Sequence, residues 1–384
     1  MVESCVTAAK INSLKPDEEI SVVWWVIFGP AELASLITRL EQASITEKLA
    51  ALMKRLLPFL LAPIAAMSAN SADLKIERLD PALDRLIPAD AKIEKLAEGF
   101  TWSEGPTWYN GSLVFSDVPE NVIYRWTSGA TKAVPFLKPS GMLTPREGFH
   151  EQGSNGLSID AEGRLLICQH GERRVARLEK DGKQTALTDK FEGKHFNSPN
   201  DLVVTKNGEI YFTDPPYGLE KGNESPLKEI SFNGVYRLTK NGELSAVIKD
   251  LTFPNGIALS PDEKTLYIAV SDPKAPRLMA YSIEPDGSLS NGRVFFDAAP
   301  LVTLERKGLP DGLKVDRAGN VFTTGPGGVL VISPNGKHLG SILTGQPTGN
   351  CAWGDDGSTL YITANMFLCR VKTTTKGFGT AVPK

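Results

Sequence analysis

The sequence predicts an all-β fold, a six-bladed β-propeller with four-stranded antiparallel blades, behind an N-terminal leader that is not part of it. Three observations predict it. One segment recurs six times within residues 95–384, the recurring unit has the apolar pattern and turn chemistry of strands, and helix-period stretches are scarce after residue 95. The recurrence comes roughly every 40–55 residues, the period of a propeller blade.

The copies align as EGPTWYNGSLVFSD from residue 104, SNGLSIDAEGRLLIC from 154, PNDLVVTKNGEIYFT from 199, PNGIALSPDEKTLYIA from 254, PDGLKVDRAGNVFTT from 310 and GNCAWGDDGSTLYIT from 349. Each opens on a polar residue and runs into an apolar strand. A turn such as DAEG, KNGE, DRAG or DDGS follows, where Asn, Asp and Gly tolerate positive φ. Then comes a second strand such as LLIC or IYFT. A third often follows, as in RVARLEKDG (174–182), GVYRLTKNG (234–242) and GVLVISPNG (328–336). A β-sandwich also uses short strands, but it does not repeat its own sequence six times. The per-blade GH…WD signature of one large propeller class is absent.

Residues 53–72, MKRLLPFLLAPIAAMSANSA, have a basic start, an apolar stretch from Leu56 to Met67 and small residues after it. This is the layout of a secretory signal peptide, and the stretch is too short to span a bilayer. The expected organisation is therefore a leader over 1–52, outside the mature protein, and a signal peptide over 53–72 beginning at Met53. A linker over 73–94 and the propeller over 95–384 follow. A periplasmic or secreted location and a mature form without a membrane span are expected. The 384 residues carry a formal net charge of −3 with no block of like charges, so nucleic acid is not an expected partner. The four cysteines (Cys5, Cys168, Cys351 and Cys369) form no CxxC pair, which argues against a zinc or disulfide framework. They are expected to be buried small apolar residues.

The opening polar residues of the repeats are Glu104, Asn155, Asn200, Asn255, Asp311 and Asn350. Equivalent positions in a propeller are related by rotation about its axis, so these side chains are expected to converge at one mouth of the central channel. All carry oxygen donors and none is His or Cys. That ligand chemistry suits a hard cation such as Ca²⁺, while Zn²⁺, Mn²⁺ and Mg²⁺ remain open. Asn or Asp before a strand often just caps a turn. Glu at one such position, with its longer side chain, fits that role poorly.

SEGPTW (103–108), SPND (198–201), FPNGIALS (253–260) and LPDGLKVD (309–316) resemble the motifs of the senescence marker protein/gluconolactonase/luciferin-regenerating enzyme family. CQHGERRVARL (168–178) and FTDPPYGL (212–219) resemble its bacterial gluconolactonase branch. The resemblance implies a propeller with one catalytic divalent metal, held by residues matching Glu104, Asn255 and Asp311. Asn200 would be a fourth ligand or a substrate contact, and Asp311 the general base or nucleophile. Asn155, Asn350 and His170 are candidate substrate contacts, with His195 a further candidate for the pocket wall. Animal members carry an Arg shortly before the Asn of the SPND motif. Ser198 stands there in this chain, which puts sugar recognition in doubt.

The expected activity is hydrolysis of a sugar lactone to the aldonic acid. No G-x-S-x-G elbow is present to suggest a serine hydrolase. Three alternatives stay open. A phosphotriesterase or other esterase would use the same site, and only substrate assays separate it from a lactonase. A non-catalytic ligand-binding propeller would bind metal without turnover. A strictosidine-synthase-like propeller would not need the oxygen ligand set.

Overall fold

A computed structural model of the chain describes residues 74–379. The expected leader over 1–52, the signal peptide over 53–72 and Cys5 lie outside the described residues. The rest is nearly all β, with short 3₁₀ turns such as Pro81–Arg85. Its strands form six antiparallel sheets, one per blade, and a small two-stranded ribbon. Blade 1 spans 103–137, blade 2 spans 154–188, blade 3 spans 202–248 and blade 4 spans 254–297. Blade 5 spans 313–343 and blade 6 spans 350–372. The first strand of each blade lies beside the first strand of the next, and that of blade 6 returns to blade 1, closing a ring.

The ring explains why the second strands read as continuous apolar runs. Successive side chains of a strand point to opposite faces. Here both faces are covered, one by each neighbouring blade. In blade 2, Leu165 and Ile167 pack with Val114 and Ile123 of blade 1. Leu166 and Cys168, one residue out of step, pack with Phe212 and Tyr236 of blade 3. In blade 6, Leu360 and Ile362 face Phe322 and Val331 of blade 5, while Tyr361 faces Phe115 and Trp126 of blade 1. The core is thus a circle of inter-blade layers, and each fully buried large apolar side chain contributes roughly 1.5–3 kcal/mol.

The turns follow the sequence. In blade 2, Gly163 takes φ of +77° and Gly163 N donates to Asp160 O at 3.0 Å. Asp160 Oδ1 accepts from the Arg164 amide at 2.8 Å, so the acidic residue caps the hairpin it opens.

Blade 6 takes three strands from the C-terminal end and its fourth, Ile93–Glu98, from the N-terminal end. That strand pairs antiparallel with Phe367–Lys372. The segment expected as a linker over 73–94 carries this closure at its end. It also carries Lys75–Arg78, which adds a fifth strand to blade 5 by pairing with His338–Leu343. Leu83 and Ile87, between those strands, are fully buried in the layer of blades 5 and 6. Cys168, Cys351 and Cys369 are buried and free, as expected of small apolar residues. Among the described residues, no helix is long and apolar enough to cross a membrane.

Candidate functional site

The opening polar residue of every repeat sits where its blade begins its first strand, and glycines flanking these positions make contacts from blade to blade. Gly105 lies against Asn155, Gly156 against Asn200 and Asp201, Gly256 against Asp311, Gly312 against Asn350, and Gly349 against Glu104. These glycines leave no room for a Cβ, which lets the blades approach closely enough to bring the polar side chains together. Hydroxyls lock the arrangement from blade to blade. Ser116 donates to Asn155 O at 2.8 Å, Thr213 to Asn255 O at 2.6 Å and Thr324 to Gly349 O at 3.0 Å.

Glu104, Asn155, Asn200, Asn255 and Asn350 are buried, and Asp311 keeps partial exposure. Burial pushes the Glu104 carboxyl up to about 8. The Gly105 amide, donating to Glu104 Oε2 at 3.0 Å, opposes the shift, while Asp201 and Glu151 add to it. Asp311 is raised well above the usual carboxylate range, by burial first and then by Glu104, Asp201 and Glu151. Two carboxyls held this close without a cation cannot both ionise freely.

The amides differ in how much of each is left over. Ser271 Oγ donates to Pro310 O at 2.5 Å, so it must accept from Asn255 Nδ2 at 2.9 Å. That fixes the Asn255 amide and leaves its Oδ1 uncommitted. Among the described residues, the side-chain amides of Asn155 and Asn200 have no hydrogen-bond partner. Asn350 is spoken for. Its Oδ1 accepts from Cys351 N at 2.9 Å and from Lys314 Nζ at 3.4 Å, and its amide steadies the Glu104 and Asp201 carboxyls.

No group of three or more His, Cys, Asp or Glu side chains is placed to hold a metal among the described residues. The donor set is instead two mutually repelling carboxyls with uncommitted amide oxygens. That is the chemistry of a hard divalent cation, whose charge would let Glu104 and Asp311 ionise together. Glu104, Asn200, Asn255 and Asp311 fit such an ion.

Sequence reasoning missed Asp201, Glu151, Tyr217 and Lys314. Asp201 stands where four of the other five repeats have Gly. It is buried, its Oδ2 has no hydrogen-bond partner among the described residues, and burial raises it against the counter-charge of Lys314. That break in the repeat was its one signal. Lys314 lines a cavity of about 450 Å³ at the other end of the inner strands, walled by Trp108, Trp353 and Phe378. Glu151 and Tyr217 lie on loops outside the repeat. Ser198 does not face a sugar: its buried hydroxyl donates to Pro215 O at 2.6 Å and accepts from Gly218 N at 2.9 Å. His170 is fully buried, and burial pushes it down to about 3, so it is neutral. His195 lies on the two-stranded ribbon with its amide bonded to Glu229 at 3.0 Å.

Comparison with known proteins agrees with this architecture. A family model described as the SMP-30/Gluconolactonase/LRE-like region matches residues 102–366. A gluconolactonase of Zymomonas mobilis is 41% identical over 317 residues, spanning 79% of this chain and 87% of that protein. The structure of a gluconolactonase from Xanthomonas campestris superposes with a TM-score of 0.68 at 32% identity, over 79% of this chain and 96% of that one. A calcium-binding regucalcin from Agrobacterium tumefaciens shares the fold at 19% identity, with a TM-score of 0.57 over 74% of this chain and 94% of that one.

Proposed function

The chain belongs to the SMP-30/Gluconolactonase/LRE-like family, and from that premise we propose that it is a gluconolactonase-type enzyme opening a sugar lactone at the axial ring, with one divalent cation, Ca²⁺. The observation that carries the reading is the mutually repelling Glu104–Asp311 carboxyl pair, Glu104 buried and Asp311 partly exposed, beside uncommitted amide oxygens.

A lactone is a cyclic ester, and its hydrolysis needs a polarised carbonyl, an activated water and a stabilised oxyanion. Glu104, Asn200, Asn255 and Asp311 would hold the cation, which would supply Lewis acidity for the carbonyl. Glu104 is held in place by the Gly105 amide and fixes the charge of the site. Asn255 is fixed through its Nδ2 by Ser271, which leaves its oxygen available to the cation. Asp311, partly exposed, can reach a substrate. It either takes the proton of the attacking water at a carboxylate oxygen or attacks the carbonyl itself. Mass spectrometry of the acid-quenched enzyme separates the two, because only direct attack adds the mass of the lactone to the protein as an acyl-enzyme.

The reading is tested by initial rates on δ-gluconolactone for the wild type and Asp311→Asn, with a phosphotriester alongside. Lactone turnover lost in the variant supports it. Turnover of the phosphotriester alone would replace it with the esterase alternative, and an unaffected variant would remove Asp311 from the chemistry. We also propose a periplasmic or secreted mature protein, which N-terminal sequencing of the exported protein would test.

A further inference from the structure

We propose that Glu151 is the proton donor to the leaving ring oxygen of the lactone, a role that rests on the lactonase reading above. The argument is geometric. Glu151 lies on the loop between blades 1 and 2, which is strapped to the PYGL loop of blade 3. His150 N donates to Gly218 O at 3.0 Å, and Phe149 bridges to Leu219. On the other side of the same loop, Gly153 N donates to Val118 O at 2.9 Å and Ser154 N to Ser140 Oγ at 3.1 Å. The two straps hold Glu151 at the wall of the ring, where its charge is felt by Glu104, Asp311 and Tyr217.

Behind Glu151 stands His170, with Nδ1 3.7 Å from Glu151 Oε2. His170 is fully buried, and among the described residues neither ring nitrogen has a hydrogen-bond partner. The ring is neutral, so it supplies no positive charge to hold Glu151 ionised. The other titratable groups facing Glu151 are acidic: Glu104 and Asp311 from the ring, and the Tyr217 hydroxyl from the PYGL loop. Burial pushes the Glu151 carboxyl up, to about 7, the direction a proton donor needs.

The step balances. The carbonyl carbon gains one oxygen from water, whose proton goes to Asp311, or gains the Asp311 oxygen directly, and in that case water then hydrolyses the Asp311 anhydride to the acid. The bond from the carbonyl carbon to the ring oxygen breaks. The electron pair stays on the ring oxygen, which takes the Glu151 proton and becomes a hydroxyl. Glu151 is reprotonated from solvent through its exposed edge.

A general acid matters most when the leaving oxygen is a poor leaving group. δ-Gluconolactone expels an alkoxide, whereas the aryl lactone 3,4-dihydrocoumarin expels a phenoxide that needs no proton. The test is Glu151→Gln on both substrates, with calcium affinity measured by calorimetry. The expected result is a fall in kcat of about 100-fold on δ-gluconolactone, a change under about threefold on dihydrocoumarin, and unchanged calcium affinity. Retained aryl-lactone turnover would also show that the variant is folded. Equal losses on both substrates, no loss on either, or weakened calcium binding would overturn the proposal. If the wild type does not accept the aryl lactone, δ-gluconolactone decides alone. A kcat loss at unchanged KM and calcium affinity supports the donor role, and a loss in KM or affinity overturns it. A wild type inert on every lactone would instead overturn the lactonase reading.

Discussion

Replacing Gly349 by Ala should disable the site while sparing the fold. A Cβ at this position would lie 2.7 Å from Glu104 Cδ and closer still to Oε1. Gly349 does not have a positive φ, so alanine carries no backbone strain there. The nearest backbone atom, Ser103 O at 3.0 Å, needs to yield only a few tenths of an ångström. The Glu104 carboxyl is the flexible end of a side chain, so it gives way. Opening 2.7 Å to an ordinary 3.4 Å contact moves it by at least about 0.7 Å. A displacement near 1 Å costs on the order of 10²-fold in rate, so a loss of about 10- to 100-fold is expected for lactone turnover, with weakened calcium affinity. The cost in stability should stay within about 1 kcal/mol. Gly105→Ala is the contrast, because its Cβ runs into the backbone of Asn155 at a φ of +52° and should unfold the ring. The assays are initial rates, calorimetric calcium titration and thermal melts on the same preparations. Full activity and affinity in Gly349→Ala would refute the claim that Glu104 must stay where this blade contact puts it.

Other outcomes follow from the same geometry. A chain beginning at residue 99 lacks the strand Ile93–Glu98 that closes blade 6 and should fail to give a cooperative melt, whereas one beginning at residue 73 should melt cooperatively. Leu360→Ala, in the layer between blades 5 and 6, should cost about 2–5 kcal/mol in a denaturant titration, leaving KM unchanged in the folded fraction. His170, held down to about 3 from an ordinary 6.5, contributes stability that is complete above pH 6.5. This is lost as pH falls toward 3, because there the unfolded chain takes up the proton first. The contribution is about 5 kcal/mol across that window. His170→Gln should therefore flatten the fall in Tm between pH 7 and 4, and an equally steep fall would place the acid sensitivity elsewhere.

The blades were legible because each one repeats the same physical problem. An inner strand must begin on a polar residue, turn through Asp, Asn and Gly, and return as a strand buried on both faces. Leu165–Gln169 and Ile210–Asp214 read as continuous apolar runs for that reason. The polar ring was legible through the same repetition, since Glu104 and Asp311 occupy the position that Asn holds elsewhere. What escaped lies where the repetition stops. Ile93–Glu98 finds its partner at Phe367–Lys372, a pairing across nearly the whole propeller that no local pattern announces. Glu151 and Tyr217 stand on loops of unequal length, and only the strap from His150 to Gly218 brings them together. Asn350 reads like the other ring amides, yet the nearby Lys314 and Cys351 amide take up its oxygen. Ser198 stands where animal relatives carry an Arg, and its hydroxyl serves the PYGL loop instead.

The most direct measurement is a calcium titration of the metal-stripped protein, following heat of binding and δ-gluconolactone turnover on the same samples. The account predicts one site per chain, turnover rising in step with occupancy, and loss of both in Glu104→Gln. Full turnover in the stripped protein, or calcium binding that leaves the rate unchanged, would contradict it.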